Sequence, residues 1–269
     1  MLDFAKGHGT LNDFVCFSDP FGALELTDEQ LRFLCDRRAG IGADGTLRAV
    51  RARVVPGTEQ YGELWFMDYR NADASIAEMC GNGLRVFLRY LLTEGLVDAS
   101  PLDIVTRAGL RHGEFLPDGD IRVSMGSPRL AAEPVTVTAG GRSFEAAVID
   151  VGNPHAAVVL PPGQLDGIDL EHEPGYPSQV YPDRANVEFI EPVAPHHVRM
   201  RVWERGVGET FSCGTGTVAS AVAAAAAVGE HEGSWRVDPP GGALRVDLTK
   251  EQAYLTGPAV IVAHGKVDL

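Results

Sequence analysis

Short strand patterns fill most of this chain, and two apolar helix patterns interrupt them. The helix patterns run from Leu84 to Leu92 and from Val218 to Val228. The second contains the Ala221 to Ala227 tract and is apolar almost all round, so it is expected to be buried on every side. Phe4 to Asp19 reads as a strand, a loop over Gly7 to Asp13, and another strand. Thr27 has Gln30 at the capping-box position and opens a short helix with Leu31, Leu34 and Cys35 on its apolar stripe. Leu64 to Tyr69 is an aromatic-rich strand. Ile104 to Met125 holds short strands with turns at Ala108-Gly109 and Pro117-Asp118-Gly119. Val135 to Val151 is a hairpin turning at Gly140-Gly141, and Ala156 to Leu160 is a strand. A Pro-rich, acidic connection covers Pro161 to Asp183. Strands follow at Ala185 to Val193, His196 to Trp203, Trp235 to Asp238, Ala243 to Leu248, Ala253 to Thr256 and Ala259 to Ala263.

The pattern repeats about half a chain apart. Asp68-Tyr69-Arg70-Asn71 ends a strand and leads through a loop to Cys80 and an apolar helix. Glu204-Arg205-Gly206 ends a strand and leads through a loop to Cys213 and an apolar helix. The expected fold is α+β, with two pseudo-symmetric domains, each a curved mixed β-sheet around one central helix. Their expected extents are residues 1–117, rejoined by about 260–269, and residues 118–259. A ligand is expected between the domains, where pockets favour forming.

The chain has 269 residues, enough for this arrangement, and 45% apolar with 22% charged residues is the balance of a soluble globular protein. A formal charge of −14 argues against nucleic acid and anionic membrane as partners. Neither apolar helix is long enough to span a bilayer, and Met1 to Lys6 lacks the features of a signal peptide. The expected compartment is the cytoplasm, where the four cysteines stay mostly reduced. Without a Cys-x-x-Cys pair no metal is expected. No lysine falls in either cysteine motif, so pyridoxal phosphate has no obvious Schiff-base anchor there. A homodimer is compatible with the sequence. Gly40-Ile41-Gly42-Ala43-Asp44-Gly45 fits a dinucleotide fingerprint by letters alone. It follows a helix and precedes the strand-like run Thr46 to Val55, the reverse of what that fingerprint needs, so it reads as a tight loop.

The chemistry lies at the two helix starts, Cys80-Gly81-Asn82-Gly83 and Cys213-Gly214-Thr215-Gly216. A cysteine there meets the positive end of the helix dipole, which favours thiolate. The uncovered N–H groups suit a small anion. One such motif alone reads better as a buried cysteine at a glycine turn; Cys16 and Cys35, within their strand and helix, read as core. Two of them suggest two thiols facing one ligand. One thiol removes a proton from a carbon and the other delivers a proton to the opposite face, which is racemisation or epimerisation.

Several segments together closely resemble the diaminopimelate epimerase family. They are Phe4-x-Lys6-x-x-Gly9-x-x-Asn12-Asp13-Phe14, Gly40 to Gly45, Asn71-Ala72-Asp73-x-Ser75 with the Cys80 motif, Gly152-Asn153-Pro154-His155, Asn186-Val187, and Glu204-Arg205-Gly206-x-Gly208-Glu209-Thr210 with the Cys213 motif. The resemblance extends to Thr256-Gly257-Pro258. It implies two similar α+β domains and a cofactor-independent, two-base reaction interconverting LL- and meso-diaminopimelate, on the route to lysine and peptidoglycan. It implies that Cys80 is the base toward the LL substrate and Cys213 the acid, with roles reversed in the other direction. Gly81, Asn82, Gly214 and Thr215 would hold the reacting carboxylate. Asn12, Asn71, Asn153, Asn186 and Arg205 would bind the distal centre, and His155 and Glu204 would assist near the reacting amine and the thiols. Each asparagine is also an ordinary loop residue, and Arg205 with Glu209 an ordinary surface pair. Ala74 stands where the family has glycine; if the position needs positive φ, alanine costs about 1 kcal/mol. The alternatives are a racemase of another amino acid, of histidine or proline type, and a thiol-redox or ligand-binding protein without turnover.

Overall fold

The first hairpin joins β1 (Leu2–Gly9) to β2 (Asn12–Ser18) through Thr10 and Leu11, whose φ angles are 50° and 64°. The sequence suggests a longer loop there. The turn is a two-residue one because both residues take the left-handed conformation the tightest hairpins require, and neither residue type announces it. α1 (Asp28–Cys35) follows with its capping box complete: Thr27 and Gln30 each bond the other's backbone. β3 (Gly45–Arg51) stops sooner than its apolar run, at a 3₁₀ turn over Ala52–Val54. Then come β4 (Trp65–Asn71), the central helix α2 (Gly81–Thr93), β5 (Leu102–Thr106), β6 (Gly109–Phe115) and β7 (Ile121–Gly126).

The second half begins with β8 (Arg129–Leu130), β9 (Val135–Ala139), β10 (Arg142–Asp150) and β11 (Pro154–Val159). It continues with β12 (Asn186–Ala194), β13 (His197–Glu204), the short β14 (Gly208–Thr210) and the helix α3 (Gly214–Ala227). β15 (Gly233–Asp238), β16 (Leu244–Leu248) and β17 (Ala253–Gly257) follow, and β18 (Val260–Val267) ends the chain. The computed structural model describes residues 1–269 and divides into two units, Met1–Val123 with Gly257–Leu269, and Ser124–Thr256. No helix is long and apolar enough to cross a membrane.

Within the first unit the strands run β18-β1-β2-β3-β4-β5-β6-β7. From β1 onward the pairings are antiparallel, parallel, antiparallel, parallel, antiparallel and antiparallel. In the second unit β10-β11-β12-β13-β15-β16-β17 repeats that succession step for step. The central helix falls at the same place in both, on the crossover between the second parallel pair. Parallel neighbours need such a crossover, and a helix that fills it packs back on its own sheet. α2 buries Leu84, Val86, Phe87, Leu88 and Leu91. α3 buries Val218, Ala219, Ala221, Ala223, Ala224 and Ala225, so small side chains bring it close to its strands.

The glycines of the Gly40 to Gly45 segment serve geometry. A Cβ on Gly40 would lie 1.7 Å from the Phe33 carbonyl oxygen, and Gly42 has φ 81°. The loop folds back on the end of α1, where Gly42 N–H bonds the Leu34 carbonyl. Gly40→Ala is therefore expected to lower unfolding stability by about 3 kcal/mol, because backbone must move. Gly167→Ala, with open space around it, is expected to stay within about 0.5 kcal/mol of the parent. Equal urea midpoints for the two variants would contradict this account.

Candidate active site

Cys80 is the N-cap of α2. Its φ and ψ are −142° and 120°, its carbonyl accepts the Leu84 N–H at 2.8 Å, and its Sγ accepts the Gly83 N–H at 3.3 Å. Serine and aspartate usually fill this position; here a thiol does the same work. The Cys80 thiol reaches Asn12 Oδ1 at 3.6 Å, and Asn12 donates its amide to Asp44 at 2.9 Å. Asp44 also accepts the Asp13 N–H and an Arg37 N–H. Asp13 in turn pairs with Lys6 at 2.6 Å and with Arg37. Burial works to raise Asp13, but hydrogen bonds from Arg37 and Lys6 hold it down at about 2. Asn12 thus hangs from a charged network that fixes the orientation of its amide.

Register carries Asn71 to the same end of the sheet. Asn12 starts β2, Gly45 starts β3, and Asn71 ends β4 opposite Gly45. Its side chain donates to Ser75 Oγ at 2.9 Å, and its backbone N–H bonds the Ser75 carbonyl. Ala74 sits inside that loop, buried, with φ 70°. The position does take the left-handed conformation that suits glycine.

Cys213 caps α3 in the same manner. Its φ and ψ are −118° and 120°, and its Sγ accepts the Gly216 N–H at 3.4 Å. Thr217 bonds the Cys213 carbonyl with both its N–H and its hydroxyl. A chain of polar side chains leads away from the sulfur. Cys213 Sγ lies 3.5 Å from Thr215 Oγ1, Asn153 Nδ2 donates to Thr215 Oγ1 at 3.3 Å, and Asn153 Oδ1 lies 2.9 Å from His155 Nε2. His155 Nδ1 then meets Glu188 Oε1 at 2.7 Å, and Tyr181 OH donates to the His155 carbonyl at 3.0 Å. His155 and Glu188 are fully buried.

The helix start was expected to favour thiolate. At Cys213 the opposite holds: burial pushes the thiol well above its usual range, and the Glu204 and Glu188 carboxylates push it further. The hydrogen bonds from Thr215 and Gly216 lower it, but desolvation outweighs them.

The remaining candidates of this unit gather at the ends of β12 and β13. Asn186 Oδ1 accepts the Arg205 N–H at 2.9 Å, and Asn186 Nδ2 reaches the Pro154 carbonyl at 3.5 Å. Asn186 is therefore tied both to Arg205 and to the strand bearing His155. The Arg205 guanidinium touches only the Asp183 carbonyl, at 3.4 Å. Glu204 accepts the Thr210 hydroxyl. So Asn12 and Asn71 belong with Cys80, while Asn153, His155, Asn186, Glu204, Arg205 and Thr215 belong with Cys213. The grouping with metal-ligand spacing, Asp169, Glu171 and His172, is exposed in the connection before β12.

Two buried charges escaped the sequence reading. Glu188 lies among the apolar residues of β12, and Arg85 within the apolar stripe of α2; both are fully buried. Their signal was a charge in a run that otherwise belongs to the core. Arg85 Nε and Arg89 Nε bond the carbonyls of Pro258 and Ala259, which explains why the Thr256-Gly257-Pro258 segment matters to α2.

A doubled sheet-and-helix unit is a fold this chain shares with a set of solved structures. A hydroxyproline epimerase from Agrobacterium vitis superposes with a TM-score of 0.69 at 13% identity, over 98% of this chain and 91% of that one. A PhzF-family phenazine biosynthesis protein from Bacillus anthracis gives 0.69 at 17% identity, over 100% and 99%. The particular family is set by sequence: the diaminopimelate epimerase family model matches residues 4–131 and 147–262. A diaminopimelate epimerase of Corynebacterium glutamicum strain ATCC 13032 is 47% identical over 100% of this chain and 99% of the relative. That of Thermobifida fusca strain YX is 50% identical over 100% and 98%. The chain belongs to the diaminopimelate epimerase family and is an isomerase.

Ala74 gives a direct stability test. A left-handed alanine costs about 1–2 kcal/mol, and glycine returns part of that through its freer unfolded chain. Ala74→Gly is expected to stabilise the protein by about 0.5–1 kcal/mol. A lower urea midpoint in that variant would show that the loop is not strained at this residue.

Proposed function

We propose that this enzyme is a cofactor-independent, two-base epimerase that interconverts LL- and meso-diaminopimelate, with Cys80 and Cys213 as the acid–base pair. The observation that carries this reading is the repeated thiol cap: two units of one strand order each present a cysteine at the first turn of the central helix. The names of the relatives supply the substrate. Such a reaction belongs on the route to lysine and peptidoglycan precursors.

Toward the LL substrate, the Cys80 thiolate takes the α-proton and becomes a thiol. The Cys213 thiol gives its proton to the other face of the carbon and becomes a thiolate. The reverse direction exchanges the roles. The carbanion that develops between the two steps is weakly favoured in water, so it needs preorganised positive charge. First-turn N–H groups of both helices, at Gly81, Asn82, Gly214 and Thr215, hold the reacting carboxylate and supply it. His155 and Glu204 assist near the reacting amine. Asn12, Asn71, Asn153, Asn186 and Arg205 bind the distal amino-acid head, for which the guanidinium fork of Arg205 suits a carboxylate. A thiol holds one proton, so the proton removed is not the proton returned.

The test is isotope incorporation. In D₂O, product formed early is expected to carry deuterium at the inverted carbon while remaining substrate stays mostly protiated, in both directions. Cys80→Ala and Cys213→Ala are each expected to abolish epimerisation with folding intact by circular dichroism. Retained substrate hydrogen in early product, with either variant still turning over, would sink the two-thiol reading. Arg205→Lys keeps the charge but loses the fork, and a severe fall in kcat/KM is expected. A near-normal value would remove Arg205 from the distal site.

A further inference from the structure

The two helix starts are built alike, but the charges buried behind them have opposite signs. Arg85, on α2, has no exposed surface. Its Nη1 is 3.5 Å from the Gly81 carbonyl and its Nε 3.5 Å from the Pro258 carbonyl, both long contacts, and its Nη2 has no partner. No carboxylate is paired with it. A cation at the positive end of a helix is electrostatically misplaced unless an anion sits there too. Burial pushes the guanidinium down to about 10, and Cys80 and Asp120 are the charges that oppose the fall. The Lys6, Arg37, Asp13 and Asp44 cluster nearby carries two charges of each sign and adds no net charge.

Behind Cys213 the buried group is the Glu188 carboxyl, which burial raises and which the His155 ring, 2.7 Å away, draws back down. Its Oε1 would stand 2.7 Å from a Cβ on Gly216, so the carboxylate rests against the first turn of α3, beside the N–H that bonds the Cys213 sulfur. Its Oε2 has no partner. α3 itself bears no charged residue. The ionisable groups at the Cys213 end of α3 are Glu204 of β13, Glu188 of β12 and His155 of β11; elsewhere on the packed strands Asp150 of β10 pairs outward with Arg129, Arg236 with Asp238 on β15, and Arg245 with Asp247 on β16. Tyr181 donates to the His155 carbonyl and stays protonated, its hydroxyl raised by burial.

We propose that these two buried side chains decide which thiol holds the proton before substrate binds: Arg85 keeps Cys80 as thiolate, and Glu188 keeps Cys213 as thiol. The consequence rests on the two-base reading above. An enzyme resting in this state accepts the LL substrate directly and must first redistribute its proton to accept the meso form. Arg85 and Glu188 act through the thiols as positioning residues and need not touch substrate.

The test uses the reduced, substrate-free full chain. Iodoacetamide labelling is followed by peptide mapping of Cys80 and Cys213 across pH. Plateau rates report access, whereas midpoints report protonation. The Cys80 midpoint is expected to lie below that of Cys213 by more than about one pH unit. Glu188→Gln is expected to lower the Cys213 midpoint and leave that of Cys80 in place. Arg85→Met is expected to raise the Cys80 midpoint, and Arg85→Lys to restore it. If Arg85→Met does not fold, the parent midpoints and Glu188→Gln decide alone. Coincident or reversed midpoints in the parent, or a Cys213 midpoint unmoved by Glu188→Gln, would overturn the proposal. Because labelling needs no turnover, ordered midpoints in an inactive protein would count against the epimerase reading only.

Discussion

A sulfur that accepts a backbone hydrogen bond at the start of a buried helix is the contact on which the rest of each unit depends. The Gly83 and Gly216 N–H groups hold the two sulfurs at 3.3 and 3.4 Å. At Gly216 the first turn has no room for a side chain, whereas at Gly83 a Cβ would meet only ordinary contacts, 3.4 Å from Phe14 and 3.6 Å from the Cys80 sulfur. A Cβ on Gly216 would fall 3.3 Å from the Cys213 sulfur and 2.7 Å from Glu188. The helix must also be buried along its length, because its own sheet wraps the crossover that carries it. Position, reactivity and packing therefore meet in one residue of each unit.

Much of this was legible in the sequence. Thr27 with Gln30 marked the start of α1, Gly140-Gly141 marked the hairpin of β9 and β10, and the apolar runs marked α2 and α3. The helices begin at Gly81 and Gly214, ahead of the apolar runs, because periodicity cannot register a first turn made of glycine and small polar residues. The Thr10-Leu11 turn was illegible for a different reason: its conformation is imposed by strand pairing, not by the residues. The short end of β3 likewise depends on a 3₁₀ turn that interrupts an apolar run.

The candidate site was legible as a set of motifs and not as an electrostatic environment. The cysteines, the asparagines and Arg205 stand in recognisable motifs. Which of them are buried, and against what charge, depends on strands far apart in sequence. Cys213 shows the difference. Its place at a helix start argues for a low pKa, yet desolvation and two carboxylates from β12 and β13 prevail. The helix dipole is a modest influence, and burial of a charge is a large one.

The chain order has a consequence for synthesis. The first unit is split, and Gly257–Leu269 completes it after the whole second unit has been made. β18 pairs along β1 from Leu2 to His8, and the carbonyls of Pro258 and Ala259 receive the Arg85 and Arg89 side chains. As the ribosome releases the chain, the amino-terminal unit therefore waits with an open β1 edge and with the Nε groups of Arg85 and Arg89 lacking their carbonyl partners. The second unit is continuous in sequence and has no such dependence. The part of the protein made first is thus finished only after the second unit has been made, and its closure waits on Gly257–Leu269.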